Sequence, residues 1–163
     1  MCRINIEETR FKKQGSRNKV QETRFKKQGS RKTRNTKQVA RIKEETRILL
    51  MLQELENRFE EFAKRVRDFC LELKFDVINR EYISQLIRSS GSVGANYIEA
   101  SDSLGKADEL MKLKISRREA KESVYWLKLL LTYDDRTLEE SRLSLIDEAQ
   151  QIKKILSAII NKL

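Results

Sequence analysis

The side chains able to do chemistry are few in this sequence, and the missing ones are informative. Among 163 residues there is no His, which removes the commonest general acid–base and the commonest metal ligand. No Ser–His or Cys–His nucleophile pair can therefore form within one chain. The two Cys, Cys2 and Cys70, show no ligand spacing and cannot complete a four-ligand zinc site without carboxylates. Cys2 sits in a polar tail and Cys70 in a helical pattern, so both are expected as reduced cytosolic thiols rather than as a disulfide. Glu99, Glu119 and Glu122 remain as candidate acids. Facing glutamates in a bundle would suit a di-metal centre, but such centres draw on Glu-x-x-His pairs. No catalytic residue, metal or cofactor is predicted, and the chain reads as a non-enzyme. The same carboxylates lie near Arg88 and Asn96 in the helical pattern. The five are expected to form a structural polar network, with Arg88 meeting Glu119 or Glu122 and fixing helix register.

Cations carry the stronger signal. The chain holds 35 Lys and Arg against 25 Asp and Glu, a net charge of +10. Residues 1–47 hold 16 of the cations and 5 of the acids, a net of +11, so residues 48–163 are left at −1. A basic tail on a near-neutral domain is a layout suited to nucleic acid or another acidic surface. Within the tail, Glu8-Thr9-Arg10-Phe11-Lys12-Lys13-Gln14-Gly15-Ser16-Arg17 recurs unchanged as Glu22-Thr23-Arg24-Phe25-Lys26-Lys27-Gln28-Gly29-Ser30-Arg31, a period of 14 residues. Two polar copies with one Phe each cannot bury a core. The functional reading is a disordered arm over residues 1–38. In it Arg10, Lys12, Lys13, Arg24, Lys26 and Lys27 neutralise phosphates, and Phe11 and Phe25 are available to stack on bases. The bland reading is a recent in-frame duplication or an upstream extension of the true start. A second cluster, Lys112, Lys114, Arg117, Arg118 and Lys121, lies in the domain itself. It is either a solvated helix face or a groove for nucleic-acid backbone. Tyr125 and Trp126 follow it and read as core or subunit interface before base-stacking platforms.

These residues must be positioned by helices. No Pro and five Gly in 163 residues favour long helices with short links. Leu52, Leu55, Phe59, Phe62, Val66, Phe69 and Leu73 recur at alternating steps of three and four, a bundle or coiled-coil seam. The first helix is predicted over about Glu45–Asp76, extending back through Val39 and Ile42. Its outer face offers Glu54–Arg58 and Glu61–Arg65 as i,i+4 pairs. Asn79 is expected to cap the second helix, whose stripe is Ile83, Leu86, Ser90, Val93, Tyr97 and Ala100. Ser89-Ser90-Gly91-Ser92-Val93-Gly94-Ala95 is its odd part. As a phosphate loop it lacks the Gly-Lys-Ser/Thr ending and a preceding strand. As helix it costs roughly 1 kcal/mol per Gly and allows close approach. A break at Ser101–Gly105 leads to a third helix from Lys106 to about Tyr133. Its stripe of Leu113, Ser116, Ala120, Ser123, Leu127 and Leu130 has a small middle, expected to face the small patch of helix two. A turn at Asp134-Asp135-Arg136 precedes helix four, from about Leu138 to Lys162, with Leu145, Ala149, Ile152, Leu156, Ile159 and Leu163 inward. The fold predicted is all-α: an antiparallel up-down four-helix bundle over residues 39–163 behind the basic arm.

No apolar run is long enough for a signal sequence or a membrane span; the longest is Ile48–Leu52. A cytoplasmic protein without a membrane role is expected.

Two stretches carry a family resemblance. Gln85-Leu86-Ile87-Arg88-Ser89-Ser90-Gly91-Ser92-Val93-Gly94-Ala95-Asn96-Tyr97-Ile98-Glu99-Ala100 resembles the bacterial four-helix bundle proteins encoded in intervening sequences of 23S rRNA genes. Lys112-Leu113-Lys114-Ile115-Ser116-Arg117-Arg118-Glu119-Ala120-Lys121-Glu122-Ser123-Val124-Tyr125-Trp126-Leu127 resembles them too. The resemblance covers roughly residues 55–163. The link Ser103-Leu104-Gly105-Lys106-Ala107-Asp108-Glu109 departs from the family's Ser-Lys-x-Asp-Phe form by lacking the aromatic. The resemblance implies a bundle that assembles into a homo-oligomeric ring, commonly a pentamer. It also implies similarity to the accessory variability protein of diversity-generating retroelements, a partner of a reverse transcriptase and of nucleic acid. Two functions are consistent with this reading: an RNA- or DNA-associated oligomer, or a structural module that binds protein and no nucleic acid.

Overall fold

The computed structural model describes side chains from Lys37 to Leu163. Four helices run in chain order: α1 (Ile4–Glu72), α2 (Val77–Ser101), α3 (Lys106–Leu129) and α4 (Arg136–Ile160), and no strand occurs among the described residues. The arm expected over residues 1–38 has its side chains outside the described residues, except for those of Lys37 and Gln38. With it go Cys2, Phe11 and Phe25, and the candidate phosphate contacts Arg10, Lys12, Lys13, Arg24, Lys26 and Lys27. The chain divides into two compact units, Met1–Met51 and Leu52–Leu163. In the first, from Lys37 on, Arg41 pairs with Glu45 at 2.8 Å and Glu44 with Arg47 at 3.6 Å, while Ile48, Leu49, Leu50 and Met51 are exposed.

The second unit is the bundle. The seam of α1 is buried from Phe59 through Phe62, Val66, Phe69 and Leu73. It opens at its N-terminal end, where Leu55 is partly buried and Leu52 exposed. The stripes predicted for α2 and α3 are buried at every position. In α4 the inward row is Leu145, Ala149, Ile152 and Leu156. It fades at partly buried Ile159 and exposed Leu163, beyond the last full turn.

Contacts between helices fix their directions. Ser89 and Ser123 share a hydrogen bond of 3.0 Å, Ser116 donates to the Val93 carbonyl at 2.7 Å, and Lys112 pairs with Glu99. These pairs step in opposite senses along α2 and α3, as antiparallel neighbours must. Arg58 donates to both carboxylate oxygens of Glu148, at 2.6 and 3.0 Å, and to Gln151 at 2.8 Å; Arg65 donates to Ser144. That fastens α1 antiparallel to α4, and a bidentate guanidinium–carboxylate pair fixes angle as well as distance. Arg58 and Arg65 thus reach across to α4, rather than pairing within α1 with Glu54 and Glu61 as their spacing suggested. Within the bundle part of α1, Glu60 pairs with Lys64 instead, at 2.6 Å.

The close approach of α2 and α3 comes from serines, not glycines. Serine side chains are short enough to bring backbones together and still satisfy their own hydroxyls. Gly94 faces Phe59 of α1, and a Cβ there would meet the Phe59 Cβ at 3.6 Å, an ordinary contact. Gly91 faces open space. The segment Ser89–Gly94 stays helical throughout.

Helix ends depart from expectation at the links. α1 stops at Glu72 rather than Asp76, because Asp76 is extended and caps α2, accepting from the amides of Ile78 and Asn79. Asn79 is not a cap. It is fully buried in the first turn of α2. Its Nδ2 donates to the carbonyls of Lys74 at 3.1 Å and Leu131 at 3.0 Å, and its Oδ1 accepts from the Leu131 amide at 3.0 Å. One side chain therefore ties the α1–α2 link to the α3–α4 link. Tyr133 reinforces the tie by donating to Asp76, with the Lys74 ammonium 4.8 Å from its ring centre. α3 ends at Leu129 because Leu130 turns extended and Tyr133 and Asp134 take positive φ, 51° and 67°. Asp135 then caps α4 through the Leu138 amide, two residues earlier than expected.

Candidate nucleic-acid interface

The helical repeat sorts the basic cluster into two groups. Lys114, Arg117, Arg118 and Lys121 are three and four residues apart and share one face of α3. Lys112 projects to another side and pairs with Glu99 of α2; the Glu99 carboxylate raises its pKa. The four co-facial cations line a shallow groove of about 540 Å³ between α3 and α4. Met111 and Ile115 of α3 and Lys153 and Ser157 of α4 complete its walls. Among the described residues no carboxylate lines it. The nearest acidic contact is Arg118 to Glu119, at 3.9 Å. Five cations converge here, with Lys114, Arg118 and Lys121 exposed and Arg117 and Lys153 half-buried, a cluster of donors suited to phosphate oxygens.

Lys153 and Ser157 were not singled out in the sequence. In α4 they are one of two Lys and one of three Ser. Only the antiparallel pairing of α3 and α4 places them opposite Lys114–Lys121. Arg142 was also missed. It donates to Glu139 at 2.5 and 2.8 Å and to the Leu127 carbonyl at 3.1 Å, closing the last turn of α3 from α4. The Glu139 partner raises the Arg142 pKa.

The two aromatics after the cluster have different environments. Trp126 is partly buried against the core and stacks on Tyr82 of α2, with ring centres 6.2 Å apart and planes 27° from parallel. Tyr125 is exposed, with its ring 4.9 Å from Trp126 at 71°.

The predicted polar network does not assemble as one unit. Arg88 is exposed and donates to Gln85 of its own helix at 2.8 Å, not to Glu119 or Glu122. Asn96 donates to the Ser92 carbonyl at 2.8 Å, again within α2. Glu99 is held by Lys112. Glu119 sits beside Glu122, and desolvation first, then the charge of Glu122, raise its pKa against the opposing charges of Arg118 and Arg88. The reason is spatial: Ser89, Ser116 and Ser123 occupy the contact between α2 and α3, and Arg88 and Glu99 are left exposed beside it. Among the described residues no group of three His, Cys, Asp or Glu side chains converges as a metal site would require. Cys70 is buried, and burial pushes its thiol pKa up to about 12. No helix among the described residues is long and apolar enough to cross a membrane.

Comparison with known proteins agrees with this architecture. No curated protein matches the chain. Among solved structures, one from Bacteroides thetaiotaomicron VPI-5482, described as a protein with unknown function from the S23 ribosomal protein family, is 34% identical. The alignment covers 65% of this chain and 97% of that one, with a TM-score of 0.56. The family model for the 23S rRNA-intervening sequence protein matches residues 52–158, beginning where the bundle begins and taking in both α3 and α4 faces of the groove. The chain belongs to the 23S rRNA-intervening sequence protein family.

Proposed function

We propose that this protein is a non-enzymatic RNA-associated oligomer that holds phosphates along the groove between α3 and α4. The observation that carries the reading is the acid-free convergence of Lys114, Arg117, Arg118 and Lys121 with Lys153. In a bundle of net charge −1 over residues 48–163, cations gathered on one groove are a local feature, not an overflow of general basicity. Phosphate recognition needs clustered donors and no nucleophile or base, which is what this surface offers. The family's association with 23S rRNA genes favours RNA over DNA. The basic segment before Lys37 adds phosphate contacts of its own. The reading extends to a cytoplasmic ring of copies, five by the family resemblance, able to serve a nucleic-acid enzyme such as a reverse transcriptase.

Binding to a labelled structured RNA, followed by anisotropy over a salt series, tests this. Affinity is expected to fall linearly on a log–log plot, and deletion of residues 1–38 to make the slope shallower without abolishing binding. Binding indifferent to salt would reject the reading. A second reading, a protein-interaction module with no nucleic-acid role, draws on exposed Ile48, Leu49, Leu50 and Met51. A stoichiometric protein partner co-purifying without nucleic-acid absorbance would favour it.

A further inference from the structure

The face that carries the cations also carries an exposed aromatic ring. Lys114, Arg118, Lys121, Tyr125 and Lys128 follow one another at steps of four, three, four and three along α3, so all five share one face. At about 1.5 Å per residue the row is about 21 Å long. Tyr125 lies about 6 Å along the axis from Lys121 and about 4.5 Å from Lys128. Lys114, Arg118, Lys121 and Lys128 are exposed, and Tyr125 is 55% exposed. An exposed tyrosine on a helix is ordinarily free to turn. This one is braced: Trp126 meets it at 71° with 4.9 Å between ring centres, and Trp126 is itself stacked on Tyr82 and packed against the core. The ring is held in place at little further entropic cost while much of it stays open to a ligand.

The geometry points to an unpaired, single-stranded nucleic-acid segment as the ligand of this face, with one base stacked on Tyr125 and its flanking phosphates on Lys121 and Lys128. The inference rests on the phosphate reading of the α3–α4 groove and narrows it. A row of cations serves a duplex backbone as well as a single strand, because both present phosphates. A braced aromatic ring between two cations is useful only to a base whose face is free. In a duplex the base faces are occupied by their neighbours, whereas unstacked bases of loops and single strands are held on aromatic side chains. Charge complementarity to the row, with the ring set inside it, is what favours a nucleic acid over a protein at this patch.

The test uses the full chain with an unstructured fluorescent RNA oligonucleotide and an RNA duplex of equal length, at matched salt. Wild type is expected to bind the single strand more tightly than the duplex. Tyr125→Ala is expected to weaken single-strand binding roughly tenfold, the loss of one base–aromatic stack. Duplex affinity and the salt slope should stay where they are. Tyr125→Phe, which keeps the ring and its contact with Trp126, should recover the preference. Melting curves of the two variants establish that both are folded. Trp126 is the sole Trp, so its emission should change on single-strand binding and not on duplex binding. Salt-dependent binding with no strand preference, and no effect of Tyr125→Ala, would overturn this inference and leave the phosphate reading standing. Absence of salt-dependent binding to either RNA would overturn both. A change in oligomeric mass in Tyr125→Ala with RNA binding untouched would assign the ring to a protein contact and overturn the inference as well.

Discussion

Asn79 shows how a residue whose type is legible can have a role that is not. Asparagine signals a local hydrogen bond to backbone, and its place before an apolar stripe suggests a helix cap. Its partners include both backbone groups of Leu131, 52 residues away, which no local pattern reveals. Because it is fully buried, Asn79→Ala should strand the Leu131 amide and two carbonyls and destabilise the fold by about 3 kcal/mol. Chemical denaturation measures this, and a loss below about 1 kcal/mol would contradict the role. Glu119 offers a residue-scale test in pH. Desolvation and the neighbouring Glu122 raise its folded pKa above the usual 4.5. Its contribution to stability is therefore present below the unfolded pKa and is lost as pH rises through the folded value. Glu119→Gln should accordingly melt higher than wild type at neutral pH, with the gap closing below about pH 4.5. A variant less stable at neutral pH would contradict the assignment.

At the scale of elements, the apolar stripes of α2 and α3 were readable, buried Asn79 and Ser89 of α2 excepted, because burial on a helix repeats every three to four positions whatever the partner. The ends of α1 and α3 were not. There the chain stops being helical because Asp76 and Asp135 cap the next helix and Tyr133 and Asp134 turn to positive φ, events decided by packing of the two links against each other. The small-residue patch was half legible. Its serines do bring α2 and α3 together, but its glycines serve no such contact. Gly91→Ala should therefore stabilise the protein by about 0.5–1 kcal/mol, since a Cβ there meets nothing and alanine is the better helix former. Ala120→Leu, at a fully buried position on the opposite helix, should cost about 1–3 kcal/mol through overpacking. Equilibrium unfolding of the two variants beside wild type measures both. The reverse order would mean that Gly91, not Ala120, sits at the tight crossing.

Across the whole molecule, net charge is a poor guide until it is placed. The +10 of the chain belongs to the segment before α1 enters the bundle, and the bundle itself is close to neutral. Folding then sorts that neutral set. Lys114, Arg117, Arg118, Lys121 and Lys153 gather at the α3–α4 groove, while Asp68, Glu72 and Glu140 line the α1–α4 groove with Arg65. The α3 half of the basic groove was visible in the sequence as a cluster. The α4 half was not, and neither was the departure of Lys112 to Glu99, because both depend on which helices become neighbours. The central claim is that this groove, and not only the basic segment ahead of it, holds RNA phosphates. Its most direct test is the salt dependence of RNA binding by the full chain carrying Lys114→Ala, Arg118→Ala and Lys121→Ala together. Loss of three phosphate contacts should lower the log–log slope by about 2 units for a single-stranded RNA, with the fold intact by circular dichroism. A slope unchanged from wild type would contradict the claim and leave RNA binding to the residues before the bundle.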